Sequence, residues 1–247
     1  MVSRIEPLLG TPEADWERWS ASARAGWPEL DLDALLGQPI VVLAAHPDDE
    51  VLGAGGLVSL LASAGAHLRF VWATDGEASH PGSSAAGVRG LAGTRRAESA
   101  AALDRLGAAA ASRVRLELPD GGLAQREDDL VRRLRCVTGP DDLVITPWRG
   151  DAHPDHDACG RAAAAVTSRL MEYPVWAWHW ARPDDDRVPW DRAVRVDLPA
   201  GVRARKAAAV SCFASQVRSL GPEPTDGPVL PPGVLAHFAR DYEVFFR

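Results

Sequence analysis

Apolar runs broken at regular intervals set the frame of this chain. Ile40-Val41-Val42-Leu43-Ala44-Ala45 is continuously apolar, the pattern of a strand buried on both faces of a parallel sheet. Leu52, Leu57, Leu60 and Leu61 then recur at helical spacing and predict a helix over about 51–64 with these leucines inward. The alternation continues with a strand at 67–73, a helix at 93–107, a strand at 113–118, a helix at 123–137 and a strand at 142–146. An alanine-rich helix follows, running to about Leu170. Strands alternating with helices of this length predict an α/β, Rossmann-like three-layer fold, with a mostly parallel sheet and helices on both faces. Residues 78–92, rich in Gly, Ser and Pro, read as a long loop.

The flanks are less regular. Thr11-Pro12-Glu13 reads as a helix N-cap with proline at the first position, and Trp16, Trp19 and Ala23 then share a face that Gly26 and Pro28 bring to an end. Residues 1–38 are therefore expected to form an N-terminal extension docked on the main domain, since exposed tryptophans are costly in water. Its alternative uses are a roof over the active site or a contact in a homo-oligomer. Residues 39–247 read as one domain, with a core at 39–170 and a C-terminal part at 171–247 that completes the pocket. In that part Trp176, Trp178 and Trp180 alternate, which predicts a strand with the three rings on one face, packed as core with one ring at the pocket rim. A strand at 193–198 and a helix at 201–215 follow. Residues 221–233 carry five prolines and three glycines and read as a loop. From Val234 the tail is expected to fold back and bury Phe238, Tyr242, Phe245 and Phe246.

Two strand ends carry the candidate chemistry. The first strand runs into His46-Pro47-Asp48-Asp49-Glu50, and open α/β sheets bind ligands outside the carboxyl ends of their strands. Alone, this loop reads equally as a helix start, with proline near the first position and acids at the positive end of the dipole. The strand at 142–146 ends in a second such loop, Pro147-Trp148-Arg149-Gly150-Asp151-Ala152-His153-Pro154-Asp155-His156-Asp157. Two loops of this kind at one sheet edge are hard to explain by capping. Two histidines and an aspartate from separate loops, with an open fourth position, make a catalytic zinc arrangement.

Charge and composition narrow the field. The net charge of −7 argues against nucleic acid as a partner, because phosphate neutralisation needs a basic face. No window approaches the apolar length needed to cross a bilayer, and Met1 to Trp16 lacks an apolar signal region, so no membrane association and a cytoplasmic location are expected. Cys136, Cys159 and Cys212 lie far apart, which disfavours disulfides and a cysteine zinc site. Gly53-Ala54-Gly55-Gly56 and Asp75 invite a dinucleotide or methyl-donor reading. The third glycine of that fingerprint is missing, however, with Val58 in its place, so no such cofactor is expected.

With both motifs in view, the sequence resembles the LmbE-like, or PIG-L-type, zinc-dependent N-deacetylases. Ala45-His46-Pro47-Asp48-Asp49-Glu50 with Gly55-Gly56 looks like the family's first signature and His153-Pro154-Asp155-His156 like its second; the resemblance spans about residues 39–220. It implies that His46, Asp49 and His156 bind Zn2+, or Fe2+ in its place. It also implies Asp48 as the general base and His153 as a stabiliser of the oxyanion, when cationic, or a helper in protonating the departing amine. Asp155 would orient a ligand histidine. Arg95 and Asp120 match family positions that contact substrate, and Trp148 stands where some relatives place a proton-donating tyrosine region; it is taken here as a third substrate contact. No tyrosine precedes the second signature, so Asp48 or His153 would return the proton. Phe213-Ala214-Ser215-Gln216 departs from the family's usual histidine before Ser-Gln.

The expected activity is removal of an N-acyl group, acetyl above all, from a small molecule that is an amino sugar or a related natural-product intermediate. The competing readings are an amidase of thiol conjugates on the same site and a non-catalytic small-molecule-binding protein.

Overall fold

The computed structural model describes residues 10–247 apart from Ala86 and Val88, so the first nine residues of the N-terminal extension and two of the 78–92 loop lie outside the described residues. Its centre is strand β1 (Ile40–Ala44), all five residues buried. β1 pairs in parallel with β2 (Leu68–Trp72) on one side and with β4 (Leu143–Pro147) on the other, Ile40 standing opposite both Leu68 and Leu143. β3 (Ser112–Arg115) lies outside β2, and β5 (Leu170–Tyr173) outside β4, both parallel. Two antiparallel strands, β7 (Tyr242–Phe246) and β6 (Ala193–Asp197), complete a seven-stranded sheet in the order β3-β2-β1-β4-β5-β7-β6. The chain thus winds outward from β1 through β2 and β3, then returns across β1 to β4. Beyond the carboxyl ends of β1 and β4 the two loops part in opposite directions, and this switch point is where such sheets hold ligands.

The two-residue period of β1 divides the core. Ile40, Val42 and Ala44 belong to one apolar cluster, with residues of α2 (Asp49–Ser63), α3 (Leu91–Arg105) and α7 (Ala200–Val210). Val41, Leu43 and Ala45 belong to the other, with α4 (Glu127–Arg135) and α5 (Pro154–Val166). Helix α2 approaches the sheet closely: a Cβ on Gly53 would sink into the ring of Tyr173, whose hydroxyl donates to Leu43 O at 2.9 Å. Midway along α2 the N–H groups of Gly56 and Leu57 donate to the buried Glu243 carboxylate (2.7 and 2.8 Å), which also meets Lys206 Nζ at 2.7 Å.

Residues 10–38 pack on the C-terminal part. In α1 (Glu13–Ala23), Trp16 is buried, donates from Nε1 to Trp178 O at 2.8 Å and meets the Trp178 ring edge-on at 5.1 Å. The Glu13 carboxylate takes hydrogen bonds from Arg240 and His237, each at 2.6 Å. Among the described residues, no helix is long and apolar enough to cross a membrane.

Several local expectations need correction. Thr11 does not cap α1; Pro12 stands at the N-cap, and the Thr11 hydroxyl donates to Ala181 O at 2.6 Å. The helix after β4 ends at Val166, and the next strand is β5 at 170–173, not 176–180. Residues 177–180 form the single-turn helix α6 (Ala177–Trp180). The reason is a remote carboxylate: Asp151 accepts the N–H groups of Val175, Trp176 and Ala177 at 3.0, 2.8 and 2.8 Å, which bends the chain into a turn. The three tryptophans therefore face different ways. Trp178 lies on Trp16, Trp180 stacks with Trp148 at 6.5 Å, and Trp176 stacks with His153 at 6.5 Å. The helix expected over 201–215 is broken into α7 and α8 (Ala214–Val217), joined through Ser211-Cys212-Phe213. The tail does fold back, and all four aromatic residues expected inside are buried.

Candidate metal centre and active site

The first loop leaves β1 and enters α2 within four residues. Asp48 stands at the N-cap with φ 136°, a conformation that side chains rarely adopt. Its backbone N–H donates to Glu50 Oε2 at 3.1 Å, and Asp49 Oδ2 accepts the His46 N–H at 2.8 Å. These short-range bonds close the loop so that His46, Asp48 and Asp49 converge. The second loop leaves β4 and becomes α5, with His153 at the N-cap and Pro154 in the first turn.

His46, Asp49 and His156 each offer a ligand atom, and these atoms lie within 4.8 Å of one another. The Asp49 carboxylate sits between the rings, Oδ2 3.5 Å from His46 Nδ1 and Oδ1 3.2 Å from His156 Nε2. The far nitrogen of each ring meets its own carboxylate: His46 Nε2 is 3.2 Å from Asp155 Oδ2, and His156 Nδ1 is 2.7 Å from Asp151 Oδ2. Imidazole ligands backed by carboxylates are the usual support of a metal site. Asp155 itself is anchored by the N–H groups of Gly121 (2.7 Å) and Leu123 (3.0 Å).

A second grouping, His46, Asp120 and Asp155, is also compact. It suits a metal less well. Both Asp155 oxygens already take backbone hydrogen bonds, Asp120 Oδ2 accepts the Ala78 N–H at 2.7 Å, and His46 Nε2 serves Asp120 and Asp155 as a donor. His156 Nε2, by contrast, is buried and makes no hydrogen bond among the described residues, with Asp49 Oδ1 3.2 Å away.

Electrostatics support a cation in the first grouping. Burial by itself would lower His156, but the Asp49 and Asp151 carboxylates outweigh it and lift the ring to about 9. For His46 burial is again outweighed, here by Asp120, Asp155 and Asp49, and the ring is raised well above its ordinary value. Burial would raise Asp49, yet His156 and His46 hold it well below the usual carboxylate range. The cluster of acids thus draws positive charge to the two rings. A divalent cation meets the same demand with both imidazoles neutral, so donor set and charge fit a metal.

The other expected residues take distinct places. Asp48 is buried beside the ligands, and loss of solvent lifts its carboxyl to about 7 even though Arg95 opposes this. Arg95 is 2 % exposed and donates to Asp48 Oδ2 (2.9 Å), Pro47 O (2.6 Å) and Gly76 O (2.8 Å). The close passage at Gly76, where φ is +66°, leaves no room for a Cβ. Glu98 forms no pair with Arg95; it accepts from the Ser215 N–H and hydroxyl, both at 2.7 Å. Asp120 Oδ1 stands 3.1 Å from His46 Nε2. Trp148 is buried between Trp180 and Phe246, 6.5 and 5.2 Å away.

His153 lies beside both rings, 5.0 Å from His46 and 4.6 Å from His156. Burial, followed by the charge of those two rings, pushes it down to about 3. Its Nδ1 accepts the Asp155 N–H at 3.3 Å, so the proton of the neutral ring is on Nε2. Two residues of this site were not singled out from the sequence: Asp151, and Trp176 as the ring over His153. Asp151 had a signal, an acid five positions before a ligand histidine in the same loop. For Trp176 the sequence offered only one rim ring among three tryptophans, and which of them it is depends on a turn that Asp151 imposes.

Comparison with known proteins agrees with this geometry. The PIG-L family, described as GlcNAc-PI de-N-acetylase, matches residues 41–167, which hold both loops. The chain belongs to the PIG-L family. Over 220 residues it is 31 % identical to 1D-myo-inositol 2-acetamido-2-deoxy-alpha-D-glucopyranoside deacetylase of Rhodococcus erythropolis, covering 76 % of this chain and 70 % of that one. The conserved protein TT1542 of Thermus thermophilus superposes with a TM-score of 0.60 at 26 % identity, over 85 % of this chain and 94 % of the other. For N,N'-diacetylchitobiose deacetylase of Pyrococcus horikoshii the values are 0.53 and 21 %, over 81 % and 77 %, and this likeness concerns the fold alone. PIG-L deacetylases are metal-dependent hydrolases, and the His46-Asp49-His156 group is this chain's candidate for that metal.

Proposed function

We propose that this protein is a zinc-dependent N-deacetylase acting on an N-acetylated amino sugar or a closely related small molecule. The observation that carries this reading is the convergence of His46, Asp49 and His156 within 4.8 Å at the sheet's switch point, with Asp48 alongside. The Rhodococcus relative, named for an acetamido-glucopyranoside, supports the substrate class. His46, Asp49 and His156 would hold the zinc ion, which would supply a Lewis acid for the acyl carbonyl and a water of pKa about 7.

The chain's own groups do the rest. Asp48 is the general base: Arg95 fixes Oδ2, so the carboxylate is aimed and cannot swing away. The His153 Nε2–H would donate to the acyl oxygen, a hydrogen bond that strengthens as negative charge develops there. Asp48 then returns its proton to the departing amine, a role no tyrosine before the second loop can take. Trp176, half-buried and stacked on His153, offers an aromatic face to the apolar side of a sugar ring. Asp120, whose Oδ1 lies 3.1 Å from His46 Nε2, is the candidate for sugar hydroxyls.

The test is metal analysis of the purified full chain, followed by acetate release from N-acetylglucosaminides. About one zinc per chain and chelator-sensitive acetate release are expected. A chain that takes up no zinc, or a zinc-loaded chain that releases no acetate from any such sugar, overturns the reading. In the second case thiol-conjugate amides become the substrates to assay.

A further inference from the structure

The carboxylate of Asp151 accepts four hydrogen bonds, and this residue is entirely buried. Oδ1 takes the N–H groups of Val175 (3.0 Å) and Ala177 (2.8 Å); Oδ2 takes the Trp176 N–H (2.8 Å) and His156 Nδ1 (2.7 Å). A carboxylate has about four lone-pair sites, so Asp151 is saturated. Three of the donors are backbone amides, which can only donate. With those acceptor sites taken by backbone donors, the fourth partner must donate as well. His156 therefore carries a proton on Nδ1 whatever happens at its other nitrogen.

We propose that Asp151 is the positioning residue of the metal centre. It dictates that His156 presents Nε2 to the ion, and through the same carboxylate it ties that ligand to the turn bearing Trp176. The inference rests on the metal site argued above. Its content is separate: a group outside the ligand set decides which nitrogen binds, how tightly, and where the aromatic wall over His153 stands.

The chemistry of a substitution shows why a carboxylate is required. Asn at this position has one acceptor oxygen for four donors. If that oxygen serves Val175 and Ala177, the amide NH2 faces Trp176 N–H and His156 Nδ1, and His156 must accept there. Its proton then moves to Nε2, where it opposes the metal. If the amide is turned around, its NH2 faces two backbone donors and the turn at 175–177 loosens. Either orientation costs metal affinity.

The experiment is zinc binding to the full chain in competition with a chelator of known affinity, for wild type, Asp151→Asn and Asp151→Ala. Both variants are expected to bind zinc about 10- to 100-fold more weakly. Equal affinity in a folded Asp151→Asn protein overturns the inference and leaves the metal site standing; a wild type that binds no zinc overturns both. A second measurement needs no variant. Long-range proton–nitrogen NMR of the zinc-loaded wild type should show His156 metal-bound through Nε2 with a proton retained on Nδ1. Coordination through Nδ1, or an unprotonated Nδ1, overturns the inference even when the variants fail to fold.

Discussion

Arg95 Nη2 meets Asp48 Oδ2 at 2.9 Å in a setting where both side chains are all but removed from solvent. An arginine so placed holds the Asp48 carboxylate instead of reaching into open space. We expect Arg95→Lys to lower kcat by at least about ten-fold with little change in KM, since one ammonium cannot reproduce a planar guanidinium's three bonds. Steady-state kinetics decides. A rise in KM at constant kcat would return Arg95 to the substrate-contact role implied by the family resemblance.

Asp48→Asn keeps size and shape but cannot take a proton. Turnover should fall about 10²- to 10⁴-fold, the range for loss of a general base, while zinc content stays at the wild-type level. Metal analysis and acetate release on the same preparation check both halves. Retained turnover would exclude Asp48 as the base.

Trp176→Ala should raise KM for an N-acetylglucosaminide by about 2- to 10-fold, as expected from the ~0.5–1.5 kcal/mol of a ring contact, and Trp176→Phe should restore most of it. A loss confined to kcat would place this ring behind His153 as support only.

The Glu13 site gives a pH prediction remote from the metal. Burial would raise this carboxyl, but hydrogen bonds from Arg240 and His237 outweigh it and hold the group below its ordinary 4.5. A depressed carboxyl contributes stability that is complete above the unfolded-state value and is lost as pH falls through the folded-state value. The attachment of α1 should therefore weaken below about pH 4.5, and Glu13→Gln should lose about 1.5–3 kcal/mol at neutral pH and most of its pH dependence there. Thermal melts of both proteins from pH 7 to pH 3 measure this. Parallel melting curves would show that Glu13 is not the titrating group.

Gly53→Ala should destabilise by about 1–3 kcal/mol, because the added methyl must displace the Tyr173 ring and disturb its bond to Leu43 O. Chemical denaturation reads the loss directly, and an unchanged midpoint would mean that α2 can shift outward at no cost.

How much of this was legible beforehand follows from where the determining forces lie. The parallel half of the sheet and both acidic loops could be read because apolar runs and local motifs are properties of neighbouring residues. Residues 176–180 could not. Their alternation satisfies a strand, and what bends them is Asp151, a carboxylate some 25 positions earlier that gathers three amides at once. The downward shift of His153 was equally hidden, since it depends on burial beside His46 and His156. The split between α7 and α8 at Ser211-Cys212-Phe213 carries no proline or glycine to announce it.

The pairing of β1 with β4 has one more consequence. His46 and Asp49 stand at the end of one strand and His156 beyond the end of the other, and the register Ile40–Leu143 is what brings them level. A slip of one residue would offset the two halves by about 3.3 Å, far beyond the ~0.2 Å that metal–ligand bonds tolerate. An ion captured here would therefore be a proofreader of strand alignment: it would bind only the chain whose two central strands are in step, and its binding energy would be withheld from every misaligned sheet.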